Sequence, residues 1–208
     1  MTQYAFYFDS ARCTGCKSCQ VACKENYHLP TDNLYRRVYD YAGGSWEPTE
    51  AGHYAPNGVF HYFISMACNH CENPACVANC PTGAMQKDPE TGIVWTDHET
   101  CIGCATCVGV CPYNAPQLHA DLGYSIKCDM CKDEVANNQK PYCVMACPMR
   151  ALDWGDVDKL RAKYGEGNIE IEPLPMNTTN PTTIINPHKD AQPTDQGTGA
   201  VVSFEYEL

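Results

Sequence analysis

The sequence is poor in positive charge. Over 208 residues, 14 Lys and Arg stand against 25 Asp and Glu, a formal net charge of −11, and the isoelectric point is about 4.9. A nucleic-acid backbone is held by clustered cations, so a nucleic-acid ligand is excluded. Long apolar runs are missing too. The longest, around residues 59–67, is interrupted by His61 and falls far short of the ~20 residues a bilayer span requires. Residues 1–13 contain no basic stretch followed by an apolar one and a small-residue cleavage site, and Arg36-Arg37 lies too far along for a twin-arginine signal. We therefore expect no secretory signal, no direct membrane span, and no membrane location except through a partner. Charged residues make up only 19% and mean hydropathy is −0.40, which suits neither a disordered polyelectrolyte nor a membrane protein. A small folded protein remains, of one domain or two small ones.

Cysteine is what the sequence has in excess. Its sixteen cysteines approach the level of a cysteine-built scaffold, and they fall into four quartets with none left over. Cys13, Cys16, Cys19 and Cys23 follow C-x2-C-x2-C-x3-C, a spacing repeated by Cys101, Cys104, Cys107 and Cys111. Cys68, Cys71, Cys76 and Cys80 follow C-x2-C-x4-C-x3-C, while Cys128, Cys131, Cys143 and Cys147 have eleven residues between the second and third. Disulfides suit short secreted chains, and cysteines two residues apart are poor mutual partners. Structural zinc takes C-x2-C pairs, usually two per ion. Three cysteines at x2 spacing with a fourth at x3 form instead the bacterial iron–sulfur run, in which three thiolates wrap one cubane and the fourth reaches its neighbour. Soft thiolates suit that chemistry. At four thiolates per cubane the sixteen cysteines give four [4Fe–4S] clusters, which at roughly −2 each carry the formal charge from −11 to about −19.

Two internal repeats run through the chain. Asp9-x3-Cys13-x-Gly15-Cys16-x2-Cys19-x3-Cys23 recurs 88 residues later from Asp97 to Cys111, and Pro74-x-Cys76-Val77-x2-Cys80-Pro81-x2-Ala84 recurs from Pro141 to Ala151. Odd quartets resemble each other, as do even ones, which points to duplication of a two-cluster ferredoxin unit. Residues 4–8 and 93–95 read as strands ahead of the odd quartets. Residues 88–92 read as a hairpin turn, and residues 19–24 and 107–110 as short helices. The expected class is α+β: two ferredoxin-like two-cluster modules, one inserted in the other. Quartets one and four would form the discontinuous module, residues 1–57 and 119–154, and quartets two and three the inserted one, residues 58–118. Spacing leaves open the pairing of one with two and three with four. Residues 24–67 are a long insertion rich in Tyr, Gly and Pro, of which 24–57 belong to the discontinuous module. Its Arg36, Arg37 and aromatics form a contact surface or pack over the first module. Residues 155–208 are a cysteine-free, Pro-rich tail with too little apolar content for a core. They form either a disordered tail or, as we expect, an extended arm on another subunit, with Ile184-Ile185 and Val201-Val202 as anchors.

With these quartets, the stretch Tyr39-Asp40-Tyr41-Ala42-Gly43-Gly44, and Pro173-Leu174-Pro175 with Thr198-Gly199, the sequence resembles the iron–sulfur electron-transfer subunit of the dimethyl-sulfoxide reductase family of molybdopterin oxidoreductases. The quartets are shared with relatives serving nitrate, polysulfide, tetrathionate and formate enzymes; the other stretches are more particular. The resemblance implies two modules related by a pseudo-twofold axis, with clusters in a line. Cys13, Cys16, Cys19 and Cys147 would hold the cluster nearest a molybdopterin-containing catalytic subunit. Cys128, Cys131, Cys143 and Cys23 would hold the second, and Cys68, Cys71, Cys76 and Cys111 the third. Cys101, Cys104, Cys107 and Cys80 would hold the one nearest a membrane anchor. In nitrate-reductase relatives a Trp stands at the position of Cys104 and a three-iron cluster results, so Cys104 predicts a fourth cubane here.

No catalytic residue is expected, since every cysteine closes a cubane and leaves no open coordination position. His70, between Cys68 and Cys71, reads as a spacer, and the other histidines lack metal spacing. Gly15 and Gly103 either let backbone amides approach cluster sulfurs or simply make turns, and the prolines after Cys80, Cys111 and Cys147 close the loops. The expected role is a relay of single electrons from a quinol-oxidising membrane anchor to the reductase subunit. The alternatives are the same relay for a catechol dehydroxylase, formate dehydrogenase or tetrathionate reductase, or a zinc or iron–sulfur scaffold without redox turnover. Relatives travel with a partner's export signal, which places the complex on the outer face of the inner membrane, with the cytoplasmic face as the alternative.

Overall fold

The computed structural model describes residues 2–203; Met1 and residues 204–208, the end of the expected tail, lie outside the described residues. In chain order, β1 (Tyr4–Asp9) leads into α1 (Ser18–Asn26) and the long strands β2 (Arg37–Pro48) and β3 (Tyr54–Met66). Then come α2 (Ala75–Ala78), β4 (Met85–Lys87), β5 (Val94–Thr96) and α3 (Thr106–Val110). The chain continues through β6 (Gln117–Leu118), β7 (Ser125–Ile126), α4 (Lys132–Ala136), α5 (Tyr142–Met145) and β8 (Leu152–Asp156). Last are α6 (Val157–Tyr164), β9 (Ile184–Asn186) and β10 (Gly199–Val201). Short helices and small sheets make this an α+β protein.

β1 shows how the aromatic run at the N-terminus organises the molecule. Side chains of a strand alternate between faces, and here both faces are covered. Phe6 and Phe8 enter the main core with Val38, Ile64, Met130 and Ile185, while Ala5 and Tyr7 pack with Val157, Leu160 and Ile184. Tyr7 also stacks on Tyr164, the ring centroids 3.7 Å apart. α6 starts where the Asp156 carboxylate accepts from the backbone N–H groups of Asp158 and Lys159 at 3.0 and 3.1 Å, a normal N-cap.

β1 precedes the first cysteine quartet and runs antiparallel to β8, which follows the fourth, with Tyr4 opposite Asp156 and Phe8 opposite Leu152. α1 packs on α5. The arrangement recurs around the other two quartets: β4, behind the second, is antiparallel to β5, ahead of the third, and α2 packs on α3. Between them stands the β2–β3 hairpin, whose register shifts at Gly43/Ser45. Its base is buried, and the hairpin is exposed on both strands beyond the shift. Of the boundaries read from the sequence, 57/58 falls inside β3, 154/155 inside β8, and 118/119 at the end of β6.

The C-terminal arm differs from its expected placement on another subunit, for it lies on its own chain. Val157, Leu160, Ile171, Leu174, Ile184 and Ile185 are all buried. β9 adds to β1 in parallel, Ile185 opposite Phe8, and β10 pairs antiparallel with β2, Gly199 opposite Gly43. The Ala-Gly-Gly and Thr-Gly stretches are thus partners. Composition misled because these scattered apolar residues need no core of their own; they complete one built by residues far upstream. Of the expected anchors, Ile185 is 0% exposed and Val202 61%. Ile185→Ala should therefore lower stability by about 2–5 kcal/mol, as fully buried Ile truncations do. Val202→Ser should stay within about 0.5 kcal/mol. Thermal unfolding of the loaded protein checks both.

Candidate metal centres

The tight loops between these elements bring cysteines of different quartets together around voids. One cavity is lined by Cys13, Cys16, Cys19 and Cys147. A second is lined by Cys68, Cys71, Cys76 and Cys111. A third is lined by Cys80, Cys101, Cys104 and Cys107. The remaining four, Cys23, Cys128, Cys131 and Cys143, are all buried, and charge on Cys128, Cys143 and Cys131 bears directly on Cys23. Each set thus joins three cysteines of one quartet with one from its spatial partner. Two of the sixteen cysteines are exposed, Cys16 and Cys104.

Donors surround the sulfurs. Backbone N–H groups of Met85, Ser125, Met130 and Ala151 donate to Sγ of Cys80, Cys101, Cys128 and Cys147 at 3.3–3.4 Å. The Ser18 and Thr106 hydroxyls lie 3.4 and 3.3 Å from Cys16 and Cys104 and hold those exposed thiols below their usual value. Burial acts the opposite way elsewhere: it pushes Cys13 and Cys71 up to about 11, and Cys76 and Cys131 up to about 12. Ser65 and Ser125, each three residues ahead of an even quartet, lie 3.4 and 3.2 Å from Cys19 and Cys107. Gly15 and Gly103 take the turn role, in left-handed backbone packed against a neighbour. Their φ angles are +65 and +67°, and a Cβ would come within 2.2 Å of the Phe63 ring or of the Gly123 carbonyl.

Several residues at these sites were missed by the sequence reading. Arg36 is buried inside the first module: Nη1 donates to the Ser65 carbonyl and hydroxyl, each at 3.2 Å, and the guanidinium lies 4.7 Å from the Phe6 ring centre. Its Nε and Nη2 have no acceptor among the described residues. Burial disfavours its charge, but the thiolates of Cys143, Cys19, Cys128 and Cys23 more than offset that. Lys127, also buried, lines the cavity of Cys68, Cys71, Cys76 and Cys111 and donates to the Val94 and Cys128 carbonyls. His70 is more than a spacer. It is 0% exposed, its Nδ1 accepts from the Val94 N–H at 2.9 Å, and Nε2 stands 4.0 Å from Cys128 Sγ. Burial, then Lys127, Lys87 and Arg36, hold its pKa well below the usual value, so the ring is neutral and Nε2 carries the hydrogen facing sulfur. Thr179 of the arm places its hydroxyl 3.1 Å from Cys71 Sγ. Position before a quartet is a signal that could have found Ser65, Ser125 and Lys127; Arg36 and Thr179 have no such signal.

The donor sets fit iron–sulfur clusters. Among the described residues no three His, Cys, Asp or Glu side chains converge on a single-ion site; four thiols ring a void instead, as a polynuclear group needs. Asn69 and Tyr113, whose amide Nδ2 and hydroxyl lack partners among the described residues, line the cavity of Cys68, Cys71, Cys76 and Cys111, where sulfur would supply acceptors.

Comparison with known proteins bears on the same chemistry. Residues 59–157 match a 4Fe-4S dicluster domain and residues 4–25 a 4Fe-4S binding domain. The B component of anaerobic dimethyl sulfoxide reductase from Escherichia coli (strain K12) is 48% identical, with 95% of each protein covered. The protein of the same name from Haemophilus influenzae is 49% identical over 92% of this chain and 93% of its own. The thiosulfate reductase electron transfer subunit of Salmonella typhi is 38% identical over 81% and 84%.

The two loop glycines should respond unequally to a methyl group. Gly103→Ala meets a backbone oxygen and keeps an unfavourable φ, so it should destabilise the loaded protein by about 1–3 kcal/mol. Gly15→Ala meets a ring that can turn aside and should cost less. The temperature at which iron absorbance is lost ranks the two.

Proposed function

This sequence belongs to the family of iron–sulfur electron-transfer subunits that includes the B component of anaerobic dimethyl sulfoxide reductase, and on that footing we propose that it relays single electrons through four [4Fe–4S] clusters from a quinol-oxidising membrane anchor to a molybdopterin-containing reductase subunit. The ligand sets proposed are Cys13, Cys16, Cys19 and Cys147; Cys23, Cys128, Cys131 and Cys143; Cys68, Cys71, Cys76 and Cys111; and Cys80, Cys101, Cys104 and Cys107. The first two sets belong to the discontinuous module and the last two to the inserted one.

One observation carries the relay reading: the two exposed cysteines, Cys16 and Cys104, belong to the first and last sets, while all four of the second set are buried. A series whose exposed cysteines stand at its two ends is what entry and exit of electrons require. Adjacency supports the order. Cys143 of the second set acts on Cys19 of the first, Cys68 of the third acts on Cys128 of the second, and Cys76 and Cys107 share one buried cluster. The part played by the protein is to hold the sulfurs deprotonated, donate N–H and O–H groups to them, and keep water away.

Dimethyl sulfoxide reductase type is favoured over other molybdoenzymes because similarity to proteins of that name extends over nearly the whole sequence, arm included. No described helix is long and apolar enough to cross a membrane. We place the protein peripherally, on the outer face of the inner membrane, held there by its partners.

Anaerobically isolated protein should contain about sixteen irons at four per cubane and bleach with dithionite; four to eight zincs, or iron that never changes redox state in turnover, would overturn the reading. Cys23→Ser and Cys128→Ser, from different quartets, should remove the same paramagnetic signal and leave the other three. Loss of different signals would refute the shared site.

A further inference from the structure

Among the described residues no carboxylate forms an ion pair with the buried cations Arg36 and Lys127; Asp129 bears on Lys127, but less than Cys68, Cys128 and Cys76 do. Arg36 reaches Ser65 and the Phe6 ring and keeps two unpaired donors; Lys127 reaches two backbone carbonyls. Their positions are related by the internal repeat. Lys127 stands one residue before Cys128, where the second quartet has Ala67 before Cys68. Arg36 enters from the insertion and fills the matching space. Cys68, Cys76 and Cys111 line the cavity with Lys127, and their repeat counterparts, Cys128, Cys143 and Cys23, are neighbours of Arg36. Each cation also borders two proposed ligand sets. Arg36 feels Cys19 of the first and Cys143, Cys128 and Cys23 of the second, and the serine it binds lies 3.4 Å from Cys19. Lys127 feels Cys68 and Cys76 of the third and Cys128 of the second. The cavity of the fourth set is lined by no cationic side chain.

Resting on the four-cluster reading, we propose that Arg36 and Lys127 are positioning residues that set reduction potentials in overlapping pairs. Arg36 raises those of the first and second clusters, Lys127 those of the second and third, and the fourth lies outside the reach of both. Reduction here adds one electron and makes or breaks no bond. It deepens the negative charge of a buried group, and a fixed cation nearby stabilises the reduced form in a medium that screens poorly. Of these two buried cations, one cluster lies under both, two under one each, and one under neither; Lys17 at the first cavity and Lys87 on the Cys71 carbonyl are the same in every variant. The potential profile along the series is therefore stepped by side chains of unrelated origin, one from the repeat and one from the insertion.

Redox titration of the intact complex, followed by electron paramagnetic resonance on each signal, tests this in Arg36→Gln, Arg36→Lys, Lys127→Met and Lys127→Arg. Arg36→Gln should lower two couples, each by at least a tenfold change in the oxidised-to-reduced ratio at fixed ambient potential, which is about 59 mV for a one-electron couple. Lys127→Met should lower two, one of them shared with Arg36→Gln, and one couple should move in neither. The charge-keeping variants should retain parental potentials. Potentials that stay put, that all move together, or that move equally in Arg36→Lys and Lys127→Arg would overturn the inference. So would failure of both neutral variants to assemble clusters that the charge-keeping variants assemble; if only one fails, the other decides. An unaltered complex without four reducible clusters would instead sink the four-cluster reading.

Discussion

Cys23, Cys128, Cys131 and Cys143 lie buried beside one another, and thiolates in that space repel each other in surroundings that screen charge far less than water does. Burial pushes the Cys131 thiol up to about 12 and raises Cys23 and Cys128 as well; metal ligation requires deprotonated thiolates. The rest of the molecule is arranged around that requirement. N–H groups converge on sulfur, hydroxyls of Ser65 and Ser125 face the third cysteine of each odd quartet, and Arg36 and Lys127 bring positive charge where water cannot reach. His70 contributes the opposite way, as a neutral ring, because nearby cations and burial together forbid it a charge.

Packing turns these local devices into one body. The main core takes side chains from β1, from the β2–β3 hairpin, from the segments before Cys128 and from the arm, together with cysteines of the first, second, third and fourth quartets. The arm does more than cover apolar surface. Backbone N–H groups of Glu72 and Asn73 donate to the carbonyls of Asn180 and Thr179, and the Thr182 hydroxyl donates to the Asn69 carbonyl at 2.8 Å. A Pro- and Thr-rich segment more than one hundred positions downstream thereby clamps the loop of the second quartet.

Elements next to the cysteines were readable from sequence. The strands ahead of the odd quartets, the 88–92 turn and the short helices inside the odd quartets lie within a few residues of where spacing and apolar pattern put them, because each is set by neighbours on the chain. The arm was not readable. Ile171, Leu174, Ile184 and Ile185 are too sparse to suggest a core, and nothing near them in sequence says that β1 offers an open edge. His70 was passed over for a related reason: its surroundings come from Val94 and Cys128, neither of which is its chain neighbour.

Cysteine type and spacing alone determined that this protein handles iron and sulfur, since soft ligands at these intervals suit little else, and the duplication of spacing determined that it does so in repeated units. Which thiols face a common void, which cations stand beside them, and where the arm lies were decided by the tertiary structure. Those are relations between residues tens to more than one hundred positions apart, created when strand β1 takes β8 on one edge and β9 on the other, and no local pattern encodes them.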